Sequence, residues 1–563
     1  MIQNTSVDIL RAFADHFCRK FEPIPMGRQK MERLVPRGMR AITPEYKEAL
    51  MAPITEQELW TAISKGKVNK APGPDGICLK FYKMAWNTIK QDFLKIINNM
   101  FQEGRIERQQ LQGLIVCLPK NIPPRRIEDY RPITLLNADY KILSRIIANR
   151  LLPCLPTIIQ PGQHCGIRGR SIFDTVAMVR EVIAFAETEK KPICVESLDF
   201  SAAFDNVTHT YMEEAIRAHG FDRKFTEYTM NLYSNASSEV QINGFRSNLI
   251  PIRRSIRQGW PLSMALYALC LNPFLQELDD GLKGINTGGS ILRATVIAYA
   301  DDVTIFLSEP EDIIELQRII VTYENIAGAK INTLKSKALV LGGWDETTQI
   351  LDIPYTSEMK ILGFTFTNRV NVAARKSWLK VTARVRSIAQ EVYPREMNLA
   401  MRINFVHLYM LVRIWYTAQI FPPPADSIHQ LNTAIAWFIW RGDIFRVTLS
   451  TLRRRREEGG WELINIWAKC RTLYINPIQS QCEQNDSFTA FWMRKWDIQP
   501  RTENPPYYAQ IPAKLGYLRS YLLENAYTPT RGETEGMKSY KRRQYCTLKI
   551  YRKWKRQCKE FEL

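Results

Sequence analysis

The chain has 563 residues, of which 45% are hydrophobic and 24% charged, a composition typical of a globular protein with several packed subdomains. Its 77 lysines and arginines outnumber its 57 aspartates and glutamates, and the net charge of +20 favours a nucleic-acid partner over an anionic membrane surface or an acidic protein. No apolar run is long enough for a membrane span, and the N-terminus lacks the pattern of a secretory signal peptide. The cysteines form no Cys-x-x-Cys pair, which argues against a zinc knuckle, and we expect an intracellular protein.

The first predicted element is an amphipathic helix near the N-terminus. Leu10, Phe13, Ala14 and Phe17 recur at spacings of three and four residues, so they would share one face of that helix. A stretch that contains Pro and Arg follows it. We therefore interpret residues 1–52 as a helical linker or docking segment.

The next region, residues 53–190, opens with a helix start and a rigid loop. Thr55 followed by Glu58 is a capping-box signature, and the sequence Pro-Gly-Pro-Asp-Gly occupies residues 72–76. The stretch 113–150 then reads as a strand, a loop and a helix rich in Leu and Ile.

Four cations of this region have neighbours that suggest phosphate binding. Lys120 ends the apolar strand, and Arg131 lies in the loop that follows. Cations at a strand end and a turn could grip a triphosphate, although ordinary surface residues would give the same pattern. Arg168 and Arg170 lie in a stretch flanked by glycines, which suits contact with a template backbone.

Carboxylates terminate two further predicted elements. Residues 193–199 read as a buried strand that ends at Asp199, and residues 294–307 read as a hairpin with Asp301 and Asp302 at its tip. Adjacent carboxylates repel each other, and a hard divalent cation with oxygen ligands would remove that repulsion. Three such carboxylates would complete a two-metal site that joins a hydroxyl to a phosphate. The simpler alternative is that Asp is common in turns.

The remaining elements follow in order. An Asn-Gly turn in residues 239–245 predicts a hairpin, and an apolar helix is predicted after Gln258 and Gly259. Residues 310–333 are predicted to be helical, and a second hairpin is predicted around Gly363.

The C-terminal third is basic. Residues 375–440 are predicted to be helical, with cations between aromatic residues, which suits a duplex held through its backbone. The run of arginines at 453–456 fits either a solvated face or an RNA contact. In residues 476–563, Lys and Arg alternate with Tyr and Trp and could grip single strands, but a solvated helix is an equal alternative.

In this order, the motifs resemble those of reverse transcriptases of non-LTR (LINE-type) retrotransposons. The resemblance extends from about residue 53 to about residue 475. Its motifs are the Pro-Gly-Pro-Asp-Gly loop, the strand that ends in Asp199, Arg-Gln-Gly-Trp-Pro-Leu-Ser at 257–263, Tyr-Ala-Asp-Asp at 299–302 and Gly-Gly-Trp at 459–461.

The resemblance implies a right-hand polymerase of the α+β class, with an antiparallel-sheet palm covered by helices on one face. Its divisions are residues 53–190 for the fingers and part of the palm, 191–370 for the palm with the catalytic motifs, 371–475 for a helical thumb and its adjoining segment, and 476–563 for a basic C-terminal region.

The resemblance also implies roles for individual residues. The catalytic and metal-binding residues would be Asp199, Asp301 and Asp302, with the carbonyl of Phe200, around two Mg²⁺ ions or, alternatively, Mn²⁺. The nucleotide-binding residues would be Lys120, Arg131, Phe204, Gln258, Gly259 and Lys335. Template or primer contacts would come from Arg168, Arg170 and Gly363.

Two of these implied roles are specific. Phe204 would press on the sugar and exclude a 2′-hydroxyl, the group that distinguishes ribose from deoxyribose. Lys335 would protonate the leaving pyrophosphate, although Lys330 and Lys337 compete for that role. Trp260 departs from the Cys that is usual in the family, which puts the shape of the nucleotide pocket in question.

The activity implied is RNA-directed DNA polymerisation, in which dNTPs are added to the 3′-hydroxyl of a DNA primer or target DNA on an RNA template. We expect a ribonucleoprotein in the cytoplasm and nucleus, and no membrane partner. The alternatives are an inactive RNA-binding relic of a mobile element and a maturase-type reverse transcriptase of a group II intron. No stretch resembles an endonuclease, so we expect either that the chain is a fragment of an element or that its primer depends on another nuclease.

Overall fold

The computed structural model describes residues 5–23, 39–104, 106–120, 123–286, 293–345, 352–393, 395–442 and 447–483, with side chains up to residue 474. The basic region predicted at 476–563 lies outside the described residues, except for the backbone of 476–483. Among the helices described, none is both long and apolar enough to cross a membrane.

Runs of helices and runs of strands follow one another along the chain, as expected for the α+β class. The helices up to the central sheet are α1 (Ser6–Lys20), α2 (Pro44–Met51), α3 (Glu56–Ser64), α4 (Leu79–Met84), α5 (Trp86–Gln102), α6 (Ala138–Leu151), α7 (Leu155–Ile158) and α8 (Ile172–Glu189). Those that follow are α9 (Ala203–Asn206), α10 (His209–Ala218), α11 (Arg223–Asn231), α12 (Ser263–Gly281) and α13 (Asp312–Ala327).

The C-terminal part is helical. Its helices are α14 (Val370–Val392), α15 (Leu399–Phe405), α16 (Val412–Ala418), α17 (Ala425–Trp440), α18 (Leu449–Leu452) and α19 (Ile466–Glu483), with a π-helical turn (Val406–Met410) between α15 and α16. Short 3₁₀ turns occur at Ile127–Asp129 and Arg456–Glu458.

The strands form two larger sheets and two small ones. They are β1 (Gln112–Pro119), β2 (Tyr130–Leu136), β3 (Ile193–Leu198), β4 (Ser237–Ile242), β5 (Phe245–Arg246), β6 (Ile250–Pro251), β7 (Ile285–Asn286), β8 (Arg293–Ala294), β9 (Val296–Tyr299), β10 (Asp302–Leu307), β11 (Lys337–Leu341), β12 (Tyr355–Thr356), β13 (Glu358–Ile361) and β14 (Phe364–Thr367). The N-terminal sheet has the order β2-β1-β4-β5, with β6 also on β4, and the central sheet has the order β12-β11-β3-β10-β9. β13 pairs with β14, and β7 with β8.

The central sheet is mainly antiparallel and carries helices on both faces. β3 pairs antiparallel with β10 and β11, and only β11–β12 is parallel among its pairs. On β3, Cys194 and Leu198 belong to the core cluster shared with α10, α12 and α13, whereas Ile193 and Val195 belong to the cluster of α8 and β13–β14. The α+β class is therefore confirmed, but the expectation of helices on one face only is wrong.

Local signals fixed several boundaries as predicted. The Thr55 hydroxyl accepts the Glu58 N–H at 3.2 Å, and the Glu58 carboxylate accepts the Thr55 N–H at 3.0 Å, which caps α3. The Asn-Gly turn between β4 and β5 has φ of +50° at Asn243 and +87° at Gly244, as a two-residue hairpin requires.

Two elements differ from the prediction because of tertiary pairing. The loop predicted around Arg131 is strand β2, which pairs with all of β1 from residue 113 onward. The helix predicted over residues 310–333 ends at Ala327, because Gly328 takes a left-handed conformation with φ of +77°. Beyond that glycine, Ile331 is extended and pairs with Phe200.

Helix α1 is packed against the N-terminal sheet rather than forming a free linker. Phe13 and Phe17 are buried in one cluster with Ile115 of β1 and Val240 of β4. The apolar face of α1 therefore packs on a sheet, which explains its amphipathic pattern. Burial of each large side chain of this type stabilises the fold by about 1.5–3 kcal/mol.

Candidate active site

The three predicted carboxylates lie at one edge of the central sheet. Val303 of β10 pairs with Leu198 of β3, so Asp302 and Asp199 are the next residues at the same end of adjacent strands. Tyr299 pairs with Asp302, which leaves Ala300 and Asp301 as a two-residue turn. Ala300 has φ of +58°, the left-handed conformation that such a tight turn demands.

The environment of Asp301 and Asp302 disfavours their charged forms. The Asp302 side chain keeps contact with solvent, but the protein atoms around it raise its pKa to about 6. The charges of Asp301 and Asp199 act in the same direction. Burial and the charge of Asp199 also raise the pKa of Asp301. Within the described residues, no lysine, arginine or histidine forms an ion pair with the three.

The donor set suits a hard divalent cation. As the side chains are placed, no group of three or more His, Cys, Asp or Glu residues in the described ranges is gathered closely enough to hold a metal ion. The three aspartates nevertheless repel one another across a shared edge, and they offer only oxygen atoms, which are the ligands that such cations take. Among the described residues, no positively charged side chain neutralises the three aspartates.

The backbone after β3 is held by the segment that follows α13. The Asp199 carbonyl accepts the N–H of Asn332 at 2.8 Å, and the Ser201 N–H donates to the carbonyl of Lys330 at 2.7 Å. The Ser336 hydroxyl accepts the Asp199 N–H at 3.0 Å. The carbonyl of Phe200 takes no part in these bonds, so it remains available on the side of β10.

Gln163 braces the carboxylate turn and was missed in the sequence. Its side chain is buried, and its Oε1 accepts the N–H of Ala300 at 3.3 Å and that of Cys165 at 3.0 Å. The backbone around Gln163 pairs in parallel with Ala298 of β9. Because Gln163 and Ala300 are 137 residues apart, only the folded chain reveals this contact.

Four cations lie near one another: Lys20, Lys120, Arg131 and Lys335. Lys120 and Arg131 lie at the loop end of the β1–β2 hairpin, where Leu118 opposes Arg131. Burial lowers the pKa of Lys120, and the positive charges of Lys20, Lys335 and Arg131 lower it further. Three of the four were predicted, and Lys20 of α1 was not.

Phe204 is fixed against an aromatic neighbour. Its ring stacks on that of Tyr267 of α12 at 4.3 Å between centroids and 18° between planes. The charges of Asp301 and Asp302 both act on the Tyr267 hydroxyl, raising its pKa along with the larger effect of burial. Phe204 therefore lies close to the carboxylates, with part of its side chain exposed.

The segment before α12 presents Gln258 and Gly259. The Gln258 Nε2 donates to the Asp205 Oδ1 at 3.3 Å. Gly259 has φ of +90°, which only glycine adopts readily. Trp260 is buried and lies parallel to Tyr140 at 5.3 Å, so the residue that departs from the family pattern points into the core.

The predicted template and primer residues have different environments. Arg168 is exposed. Arg170, by contrast, donates to the carbonyls of Gln160 and Gln163 at 2.7 Å each, and also to those of residues 156 and 159. Burial lowers the pKa of Arg170 to about 10. Its donors are used inside the protein, which corrects the prediction of a template contact.

Gly363 forms the turn of the β13–β14 hairpin. It has φ of +87°, and the preceding Leu362 has φ of +46°. The hydroxyl of Tyr416 donates to the Leu362 carbonyl at 2.6 Å, which fixes the hairpin to α16. Several cations of α14 are engaged nearby: Lys376 pairs with Glu358, Lys380 bonds Thr365, and Arg384 pairs with Glu391.

A basic cavity adjoins Gly259 on the side of α6. Its volume is about 560 Å³. Its wall includes Ile133 of β2 and Pro261, and its cations are Lys65, Lys67, Lys70, Lys141 and Arg145. The Lys-Ala-Pro loop that precedes Gly73 forms part of its rim.

Comparison with known proteins agrees with this geometry. Residues 118–366 match the family described as "Reverse transcriptase (RNA-dependent DNA polymerase)". The chain is 29% identical to an uncharacterised 149 kDa protein of transposon TX1 from Xenopus laevis, over 82% of this chain and 35% of that protein. It is 26% identical to the Pol polyprotein of retrotransposable element R2DM from Drosophila melanogaster, over 57% of this chain and 31% of that protein.

The chain thus spans about a third of the length of these two relatives. Among solved structures, apo telomerase from Candida tropicalis, truncated from its C-terminal domain, is similar with a TM-score of 0.35 and 13% identity, over 50% of this chain and 58% of that chain. The matched residues include Asp199, Asp301 and Asp302, the hairpin β9–β10 and nearly all of the hairpin β13–β14. Residues 118–366 therefore match the reverse transcriptase family, and the chain is similar over part of its length to proteins of a transposon and of a retrotransposable element.

Proposed function

We propose that this chain is an RNA-directed DNA polymerase that adds deoxynucleotides to a primer 3′-hydroxyl. One observation carries the proposal: three carboxylates meet at one end of adjacent strands without a cationic partner in the described residues. The segment that holds Asp199 in place also carries Lys335, whose charge acts on Lys120 of the cation cluster. A site of this kind can hold metal ions on one side and a triphosphate on the other.

Reverse transcriptases generally use divalent metal ions. Here Asp199, Asp301, Asp302 and the carbonyl of Phe200 would hold them, and we propose two Mg²⁺ ions. When bound, such ions lower the pKa of the attacking hydroxyl and neutralise charge on the phosphates. The rest of the chemistry falls to side chains of this chain.

Lys120 and Arg131 would bind the β- and γ-phosphates of the incoming nucleotide. Both cations lie at the loop end of the β1–β2 hairpin, and the lowered pKa of Lys120 fits a cation that is crowded by other cations and can bind an anion. Bidentate geometry suits Arg131 to a phosphate oxygen pair.

Lys335 is the favoured proton donor to the leaving pyrophosphate. Its charge acts on Lys120, so it lies within electrostatic range of the phosphate site. Lys337 shares its strand face with Leu339 and Leu341 and acts on Glu358 instead, which removes it to the opposite face of the sheet. Lys330 is exposed and supplies only its carbonyl to the Asp199 segment.

Phe204 would exclude ribonucleotides. Its stacking on Tyr267 leaves the ring little freedom to withdraw from a 2′-hydroxyl, so the sugar pocket is rigid. Gln258 and Gly259 would meet the sugar or the base pair, because the backbone at Gly259 allows close approach.

The RNA template and the primer would lie along basic and glycine-rich surfaces. The cavity beside Gly259, with its five cations, suits the phosphates of a template strand that has not yet been copied. Arg168 offers an exposed cation for the template, and the turn at Gly363 offers backbone groups for the primer.

Primer extension tests the proposal. With an RNA template, a DNA primer, Mg²⁺ and dNTPs, we expect the wild type to extend the primer and Asp301→Asn to lose at least about 10³-fold in rate, since one metal ligand loses its charge. Asp92→Asn, an exposed aspartate on α5, should extend like the wild type.

The outcome that contradicts the proposal is equally clear. A folded wild-type protein that binds template–primer but extends nothing would instead be an RNA-binding relic. Equal extension by wild type and Asp301→Asn would remove the carboxylate edge from the mechanism.

A further inference from the structure

Asp205 is a buried carboxylate with partners on two segments of the chain, helix α1 and the segment before α12. It is 4% exposed, and its Oδ2 lies 2.8 Å from the Nζ of Lys20. Its other oxygen, Oδ1, accepts from the amide of Gln258 at 3.3 Å and from the hydroxyl of Ser255 at 3.4 Å. A charge this deeply buried is stable only when it is paired in this way.

The C-terminal end of α1 is clamped onto the segment that leads to Gln258. The Lys20 carbonyl accepts from the Nε of Arg254 at 2.6 Å, and the Phe21 carbonyl accepts the N–H of Arg253 at 3.3 Å. Lys20 therefore reaches Asp205 from a fixed base rather than from a mobile tail.

The same segment is tied to Phe204 on its other side. The Ile256 N–H donates to the Phe204 carbonyl at 2.8 Å, and the Ser255 N–H donates to the Val207 carbonyl at 2.9 Å. Lys20, Asp205, Phe204 and Gln258 thus form one connected unit next to the cations of the phosphate site. The positive charge of Lys20 also helps to lower the pKa of Lys120, so this unit and the phosphate site share one electrostatic environment.

We propose that Lys20 is a positioning residue for the incoming nucleotide: it neutralises Asp205, and Asp205 in turn holds the Gln258 amide at the nucleotide pocket beside Phe204. The inference rests on the proposed polymerase function and extends it to the N-terminal helix. Lys20 acts through Asp205 and Gln258 and makes no contact with the reacting atoms.

The physical expectation is a defect in nucleotide binding. Without Lys20, the Asp205 carboxylate loses the partner that lies 2.8 Å from its Oδ2, so it turns toward solvent. That change removes the fixed acceptor of the Gln258 amide. Ordering Gln258 then offsets part of the free energy of dNTP binding. This raises KM for dNTPs and leaves kcat nearly unchanged.

The test compares Lys20→Met with Arg11→Met in primer extension on an RNA template. Arg11 is an exposed cation of the same helix, so its loss changes the net charge equally. For Lys20→Met we expect a KM for dNTPs about 5- to 20-fold above wild type with kcat within about twofold, while Arg11→Met matches the wild type. Lys20→Arg, which keeps the charge, should restore most of the affinity.

Asp205→Asn is a second variant that tests the same inference, and it serves also if Lys20→Met folds poorly. Asp205→Asn alone should raise KM, and its effect should not multiply with that of Lys20→Met, because both act through one unit. The double variant Lys20→Met/Asp205→Asn should unfold at a higher temperature than Lys20→Met, since the unpaired buried charge is gone.

A binding measurement separates this inference from the polymerase proposal. Affinity of a fluorescent dNTP analogue for the protein on a dideoxy-terminated primer–template does not require extension, and Lys20→Met should weaken it by the same factor. Equal affinities and equal KM values for Lys20→Met and Arg11→Met would overturn the role of Lys20, even if the wild type extends primers. A wild type that binds no dNTP would overturn it as well, whereas one that binds but does not extend would contradict only the polymerase proposal.

Discussion

Glu196 is a carboxylic acid sealed inside the central sheet, at the middle of β3. It is fully buried, and neither carboxyl oxygen has a hydrogen-bond partner among the described residues. Burial raises its pKa from the ordinary 4.5 to about 8, so the folded protein keeps the proton at neutral pH. A neutral acid among apolar neighbours such as Cys194 and Leu198 costs far less than a carboxylate would.

This raised pKa predicts a pH-dependent stability. The unfolded chain loses the Glu196 proton near pH 4.5 and the folded chain near pH 8, so the contribution is full below pH 4.5 and declines up to pH 8. Glu196→Gln removes the decline, and we expect the stability of this variant relative to wild type to rise by about 1.4 kcal/mol per pH unit between pH 5 and 7.

Urea unfolding at pH 5, 6 and 7 measures this difference. Glu48→Gln, at an exposed position of α2, is the matched control and should show no such trend. Parallel stability curves for wild type and Glu196→Gln would mean that Glu196 ionises in the folded protein.

At the scale of elements, the strands and hairpins that carry the site were predictable because their signals are local. A buried strand ends at Asp199, a tight turn carries Asp301, and the Asn-Gly turn closes β4–β5 as expected. Pairing between distant segments was not predictable. The strand character of β2 depends on β1, and the brace of Ala300 by Gln163 joins positions far apart in sequence.

Arg170 illustrates the same limit for single residues. Its flanking glycines made it resemble its neighbour Arg168, but four carbonyls gathered by the turn after α7 surround its guanidinium. Sequence spacing reports which residues share a loop and does not report which way each side chain points. Lys20 was missed for the same reason, since its partner Asp205 lies far from it in the sequence.

Two variants separate these arginines. Arg170→Met should lower the free energy of unfolding by about 3 kcal/mol or more, because several buried carbonyls lose their donor. Arg168→Met should leave stability within about 0.5 kcal/mol and weaken RNA binding. Urea denaturation and filter binding at one salt concentration measure both; the reverse pattern would return Arg170 to the template.

At the scale of the whole molecule, the positively charged side chains fall into two groups with different roles. Some cations pair inside the protein, as Lys376 does with Glu358, and others line the cavity beside Gly259 without an ion pair in the described residues. Only the second kind contributes strongly to binding of a polyanion, because release of counterions requires cations that are free to meet phosphates.

The salt dependence of RNA binding tests this division. Lys65→Ala combined with Lys67→Ala should weaken binding of a single-stranded RNA and reduce the slope of log K against log salt by about 0.7 for each phosphate that is no longer neutralised. Lys224→Ala, an exposed lysine on α11, should leave the slope unchanged. An unchanged slope in the double variant would place the template elsewhere.

The brace between Gln163 and the Ala300 turn has a consequence for the order of folding. Hairpin β9–β10 has only short-range contacts of its own, so it can form early, but closure of the 137-residue loop that fixes its tip costs chain entropy and comes later. A chain arrested before that closure has its strands and lacks a defined carboxylate edge. For the polymerase proposed above, metal binding and template copying would thus be acquired only once this contact has formed, which would keep incompletely folded chains from acting on nucleic acid.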